Sequence, residues 1–275
     1  MIDEIPLKKI RECAQYFPDP QLEMILDSIA EGNTRAALWR SIQPQNDITL
    51  LLWDKGNNVF YLSGDLILEE AIKEMAALIM THIKDIAIQE DLSHFNIHTL
   101  SPPLEKALPQ LFQDAELYKM NKFFYGFQQP NLLSTSAELA NLQYKLIDTD
   151  FLAQDHYQNI QYVQSEIDWM WPSRKKFCEN GFGYAALLGE SIVCWCTAEY
   201  VSTKKCGIGI ETLQTYQNQG IATATAVHFV NYCLSHNIIP YWECDSQNIG
   251  SIRVAEKVGF ARIQKAIVWG GEFIL

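Results

Sequence analysis

What this sequence has least of is positive charge. Its 21 lysines and arginines stand against 33 aspartates and glutamates, a formal net charge of −12. No stripe of Lys or Arg is present to neutralise a phosphate backbone, so nucleic acid is not an expected partner. The same deficit means that an anionic ligand must be held by local amides, while a cationic amine is drawn in at long range. Long apolar runs are also missing. None approaches the length of a membrane span, so no membrane partner is expected. The opening Met1-Ile2-Asp3-Glu4-Ile5-Pro6 lacks the basic start and apolar core of a signal peptide. Seven cysteines, an odd number without such a signal, read as reduced thiols of a cytoplasmic protein. Cys194 and Cys196 share one face of a strand-like run, with no Cys or His partner at ligand spacing nearby. Packing explains them better than zinc, and no metal site is expected.

What remains is an ordinary globular composition, 48% hydrophobic and 20% charged, over 275 residues, enough for one large domain or two moderate ones. The patterning alternates helices and strands, an α/β (α+β) class. Helical spacing covers 7–16 and 20–31, broken at Pro18-Asp19-Pro20. A β-meander follows, from Ala36 to Leu62, with a turn at Asp54-Lys55-Gly56-Asn57-Asn58. An amphipathic helix is expected from Leu66 to Lys84, with Ile67, Ala71, Met75, Leu78 and Ile79 on one side. A strand at 95–99, a helix from Pro102 to Phe112 and a strand at 121–128 complete the first half.

The polar stretch from Gln128 to Ser136 reads as a linker, which divides the chain into 1–130 and 131–275. Beyond it come a strand at 144–147 and one or two helices between Asp150 and Asn180, separated near Ser165–Asp168. A hairpin across Gly189-Glu190 and a third strand, Gly207 to Leu213, follow. A helix at 219–236, a strand at 238–244, a helix at 249–258 and an end segment at 260–269 close the chain. The two halves repeat one order of elements with little residue identity, which points to an internal structural repeat.

The chemistry concentrates at Leu213-Gln214-Thr215-Tyr216-Gln217-Asn218-Gln219-Gly220-Ile221-Ala222-Thr223. A polar turn with one glycine leads straight from a strand into a helix. Its amides converge at the positive end of the helix dipole, a place suited to a phosphate or pyrophosphate. It is not a Walker loop, because no Gly-Lys-Ser/Thr is present. The corresponding loop of the first half, Leu62-Ser63-Gly64-Asp65-Leu66-Ile67-Leu68-Glu69-Glu70, carries three carboxylates that would repel such an anion.

The motif Gln-x-x-Gly-x-Ala at 217–222, the following helix, the strand end Tyr241-Trp242-Glu243-Cys244-Asp245, and the closing Asn248-x-x-Ser251 helix ending in Gly259-Phe260 occur in sequence. Together they resemble the GCN5-related N-acetyltransferases (GNAT) over residues 142 to 272. The likeness is nearest to the branch of zwittermicin A resistance-type acetyltransferases, where a Trp–acid pair precedes the Asn-x-x-Ser helix. It implies a GNAT-like mixed sheet whose middle strands splay to admit acetyl-CoA, preceded by a degenerate, GNAT-like first half. On that pattern the backbone at Thr212 and Leu213 would bond the pantetheine arm. Amides of Gln219, Gly220, Ile221, Ala222 and Thr223 would hold the pyrophosphate, and Gln217 and Asn218 would shape the loop. Asn248 and Ser251 would contact the arm near the thioester, although both also fit a plain helix cap.

Acetyl transfer to an amine requires that the ammonium lose a proton, the thioester carbonyl be polarised and the thiolate be stabilised on leaving. Glu243 is the candidate base and Glu211 its helper on the neighbouring strand. Each is otherwise a solvated strand residue. The family's usual tyrosine acid is replaced by Ala255, and Gln217 stands where arginine is common. Cys244 has no neighbouring His in sequence to activate it. Trp169, Trp171, Trp195 and Trp242 could line an acceptor pocket or fill the core.

The sequence therefore supports an acetyl-CoA-dependent transferase acting on a primary amine of a small molecule. The first half would wall the acceptor site or mediate homodimerisation. Two rivals stand: a non-catalytic acyl-CoA-binding regulator, and an acetyltransferase of protein N-termini or lysines.

Overall fold

The computed structural model describes residues 2–42, 48–64, 68–129 and 141–274. By internal contacts the chain forms two compact units, residues 1–120 with 267–275, and residues 121–266. The linker expected at 128–136 falls mostly outside the described residues, and with it the division at 130/131. The two stretches that change unit are the second half of one strand and the end of another.

In the first unit, β1 (Ile2–Glu4) is followed by short 3-10 and α turns from Leu7 to Tyr16 that include α1 (Ile10–Cys13), then by α2 (Leu22–Ala30). The meander is β2 (Ala36–Ile42), β3 (Ile48–Asp54) and β4 (Val59–Gly64). The long helix is α3 (Glu69–Leu78), a π turn Ile79–Ile83 and α4 (Lys84–Gln89). Leu66 and Ile67, expected at its start, lie outside the described residues. Then come β5 (His94–Thr99), α5 (Pro102–Leu111) and the beginning of β6 (Ala115–Phe127). Pro102 and Pro103 occupy the first turn of α5, where their missing N–H groups cost nothing. The sheet runs β1-β2-β3-β4-β5, and residues 269–272 from the far end of the chain complete it beside β5. Residues 50–53 of β3 are buried, as an apolar strand covered on both faces should be.

The second unit repeats this plan. It contains β7 (Leu142–Leu146), α6 (Thr149–Leu152), α7 (Ile160–Met170), α8 (Arg174–Asn180), β8 (Gly183–Leu188), β9 (Ser191–Glu199) and β10 (Lys205–Thr212). These are followed by α9 (Ile221–Ser235), β11 (Ile239–Asp245), α10 (Ile249–Val258) and the start of β12 (Phe260–Phe273). The sheet order is β7-β8-β9-β10-β11, and β6 residues Lys122–Gly126 pair beside β11. The helical break expected near Ser165–Asp168 is instead at Trp171–Ser173. Pro172 forces Trp171 into extended backbone (ψ 154°), and Ser173 then caps α8 by accepting from the Lys176 amide.

Thus β7 corresponds to β1, the meander β8-β9-β10 to β2-β3-β4, α9 to the α3–α4 helix, β11 to β5 and α10 to α5. The repeat read from the sequence is present, in an α/β chain with a mixed sheet.

Candidate active site

The site is built around β10 and β11, the parallel pair in the middle of the second unit. Their pairing covers only Lys205–Gly207 against Ile239–Tyr241. Beyond that point each strand pairs on its outer side, β10 with β9 through Thr212 and β11 with β6 through Asp245. The stretches Ile208–Thr212 and Trp242–Asp245 therefore border an open seam. This is the splay that the resemblance to GNAT proteins implies.

At the end of β10 the chain makes a 3-10 turn, Gln214–Tyr216, and enters α9. Asn218 (φ 60°) and Gly220 (φ 83°) are both left-handed, which turns successive amides toward one side. Among the described residues no side chain caps α9, and its first turn holds no acidic residue. An α-helix leaves its first amides without partners inside the helix, so those of Ile221, Ala222 and Thr223 point from an uncapped end. A Cβ on Gly220 would meet open space, so the backbone here is approachable by a ligand. Inside the loop, Gln217 donates from Nε2 to the Thr212 carbonyl (3.1 Å), and Gln219 donates to the Thr215 carbonyl (3.1 Å). Ile221 packs against Ala186, Val193 and Cys194, which anchors the loop on β8 and β9.

The Thr212 carbonyl thus accepts from Gln217, and the Leu213 amide donates to the Val193 carbonyl (3.0 Å). The part of β10 that runs along the seam free of these engagements lies earlier, at Ile208–Glu211. Asn248 is a helix cap: its Oδ1 accepts from the Ser251 amide at 3.0 Å. The Ser251 hydroxyl accepts from Trp242 Nε1 at 2.9 Å. Ser251 thereby ties β11 to α10, and the Asn248 amide does the same by donating to the Asp245 carbonyl at 3.0 Å.

Strand pairing also fixes which face each carboxylate occupies, since directly opposed residues point the same way. Glu211 opposes Trp195, and Gly209 opposes Thr197. Gly207 is in register with Tyr241, so alternation puts Glu243 and Asp245 on that face too. Helices α9 and α10 cover the other face, where Trp242 meets Ser251 and Thr212 meets Cys194. Glu211 and Glu243 thus share a face on opposite sides of the seam. Their immediate partners differ. Glu243 forms an ion pair with Lys122 of β6, the lysine 15% and the glutamate 31% exposed. Glu211 is exposed and acts electrostatically on Glu166 of α7.

Glu166 and Lys122 are the residues that sequence reasoning did not single out. Glu166 accepts from Trp195 Nε1 and from Thr197 Oγ1, both at 2.5 Å. Burial, more than the nearby Glu211 charge, holds its carboxyl above the usual glutamate value, against the pull of these two donors. Glu199, opposite Gly207, adds a fifth carboxylate to this face, and Gly209 makes room for it. A Cβ there would come within 2.3 Å of Glu199 Oε1, so the bare backbone lets Glu199 reach across β10.

Other candidates resolve into packing. Trp171, Trp195 and Trp242 are buried, whereas Trp169 is exposed. All seven cysteines are free. Burial raises the thiols of Cys244 and Cys196, and that of Cys194 to about 11, so none is poised as a nucleophile. His228 stacks on Tyr144 (4.3 Å between centroids), and burial lowers its imidazole below the ordinary value. Ala255 is fully buried in the core, with no proton to offer.

A family model described as GNAT acetyltransferase matches residues 15–268. The chain belongs to the GNAT acetyltransferase family. Among known relatives of this GNAT protein is an uncharacterized N-acetyltransferase, YdfB, of Bacillus subtilis (strain 168), 23% identical over 269 residues that cover 98% of each chain. A GCN5-related N-acetyltransferase-like protein from Streptococcus suis 89/1591 superposes with a TM-score of 0.64 at 16% identity, covering 96% of this chain and 99% of its own. A tandem GNAT protein from the clavulanic acid biosynthesis pathway superposes with a TM-score of 0.56 at 9% identity, covering 100% and 99%. At such identities the two structures show a shared fold, which here extends over both units of the GNAT chain.

Proposed function

We propose that this GNAT acetyltransferase moves the acetyl group of acetyl-CoA directly to a primary amine of a small molecule. The observation that carries the reading is the open seam between β10 and β11, placed beside the uncapped end of α9. The loop amides suit a pyrophosphate, and the Ile208–Glu211 edge suits an extended amide-bearing arm. Asn248 and Ser251 would stand beside that arm while keeping their capping bonds. A net charge of −12 and several carboxylates on one face favour a cationic acceptor over nucleic acid or an anionic surface. The likeness to zwittermicin A resistance-type acetyltransferases, carried by Trp242-Glu243 ahead of Asn248 and Ser251, belongs to the same proposal.

Glu243, directly or through water, would receive the ammonium proton, with Glu211 assisting from the facing strand. No side chain of the protein forms a covalent bond to the acetyl: the amine N–C bond forms as the thioester C–S bond breaks and CoA leaves as its thiolate. The second unit, with β6, would carry catalysis. The first, with Glu69 and Glu70 in the opening turn of α3, would be catalytically silent and would mediate homodimerisation.

Free-thiol release from acetyl-CoA over an amine panel, beside calorimetric CoA binding, tests this. Turnover with small amines supports it. Binding without turnover on any amine points to a regulatory acyl-CoA binder, and turnover only on peptides to a protein acetyltransferase. Absence of CoA binding would sink all three.

A further inference from the structure

The ion pair at the seam joins residues 121 positions apart in sequence. Lys122 belongs to β6, the strand that starts in the first unit and ends in the second. It opposes Asp245 on β11, while Glu243 opposes Phe124, so the Lys122 ammonium reaches diagonally to Glu243 on the same face. The register is held beyond the strand end, where the Ser246 amide donates to the Asn121 carbonyl at 2.8 Å. Lys122 is thereby fixed on a rigid strand and is more enclosed than the carboxylate it meets.

Its charge has a clear electrostatic setting. The face that carries Glu243 also carries Asp245 on its own strand, Glu211 on β10, Glu166 on α7 and Glu199 on β9. Among these groups Lys122 supplies the positive charge in direct contact with Glu243. A carboxylate surrounded by like charges tends to keep its proton and is then useless as a base, whereas an adjacent ammonium favours the ionised form.

We infer that Lys122 is a positioning residue for amine acetylation, acting through Glu243: it aims that carboxylate at the seam and keeps it ionised to accept the ammonium proton. This rests on the reading above, with Glu243 as base. In the step, an N–H bond of the substrate ammonium breaks, its electron pair stays on nitrogen, and an O–H bond forms on Glu243. Lys122 keeps its own proton throughout. The strand that sequence order assigns to the catalytically silent half thus supplies part of the working site.

The test is the pH profile of kcat/KM on the best amine for the full chain and its K122M, K122Q, K122R and E243Q variants, with melting curves for each. K122M and K122Q should move the acidic limb up by about one pH unit, lowering the rate below the limb about tenfold. K122R should restore the wild-type limb. A Lys122 that merely braces the fold would lower melting temperature and leave the limb in place, and that outcome, with E243Q impaired, overturns the inference alone. E243Q at the wild-type rate removes the base and the inference with it. A wild-type chain that binds CoA but turns over no amine defeats the underlying reading.

Discussion

The two units carry the same parallel strand pair, and they treat it in opposite ways. In the first, β4 and β5 pair from Val59–Leu62 to Asn96–Thr99, and the Leu100 amide continues the zip to the Leu62 carbonyl at 2.9 Å. In the second, β10 and β11 part after Gly207 and Tyr241. The preceding loops differ in the same sense. Gly64 packs so tightly on β3 that a Cβ would lie 1.9 Å from the Ile48 carbonyl oxygen, whereas Gly220 faces open space. Two glutamates occupy the first turn of α3, and no acidic residue occupies that of α9. One fold plan therefore gives a sealed sheet or an entry site, depending on a few pairings and the charge at one helix end.

The largest expected effect separates the two strands after those pairs. Glu243→Gln should lower turnover by about a hundredfold or more, the scale of a lost general base, with CoA affinity unchanged. Asn96 holds the matching place in the first unit, five residues before the Ser101 cap, as Glu243 is five before the Asn248 cap. Asn96→Ala should leave turnover as it was. Equal losses in both would erase the distinction between the units.

The two glycines come next. Gly64→Ala should destabilise the fold by at least about 2 kcal/mol in denaturant melts, since backbone cannot give way and φ is 93°. Gly220→Ala should fold with a strain of about 1–2 kcal/mol and lose about tenfold in CoA affinity by calorimetry. A reversal of those readouts would put the anion site in the wrong unit. A smaller effect is expected at Gln217→Ala, about threefold weaker CoA binding from a loosened loop, the scale of one hydrogen bond.

The smallest concerns Glu166. A carboxylate whose folded value is raised binds more protons folded than unfolded, so stability falls as pH rises from its unfolded value through the folded one. Glu166→Gln cannot ionise and should melt higher than wild type at neutral pH, with the gap closing toward pH 4.5. A gap that widens on acidification would reverse the assigned direction.

Much of this contrast was legible in the residues. The turn into α9, the acid before the Asn248 cap, the hairpin at Gly189-Glu190 and the repeated element order all depend on local spacing, and spacing is what a sequence displays. The strand exchange did not show. Residues 121–128 read as a strand, but nothing local says that Lys122–Gly126 pairs with Tyr241–Asp245. Likewise the chain end reads as a strand, without its partner β5. Lys122 was invisible for the same reason, its partner lying across that non-local pairing. Glu166 looks like any charged position on an amphipathic helix until α7 docks on β9 and meets Trp195 and Thr197 there. The misplaced helix break had a local signal, Pro172, that outweighs the polar run at Ser165–Asp168.

Amide hydrogen exchange with and without CoA tests the central claim most directly. CoA should slow exchange along Ile208–Glu211 and at Gln219–Thr223, and leave Val59–Leu62 unchanged. Protection appearing at β4 and the start of α3, or none at the β10 loop under saturating CoA, would contradict it.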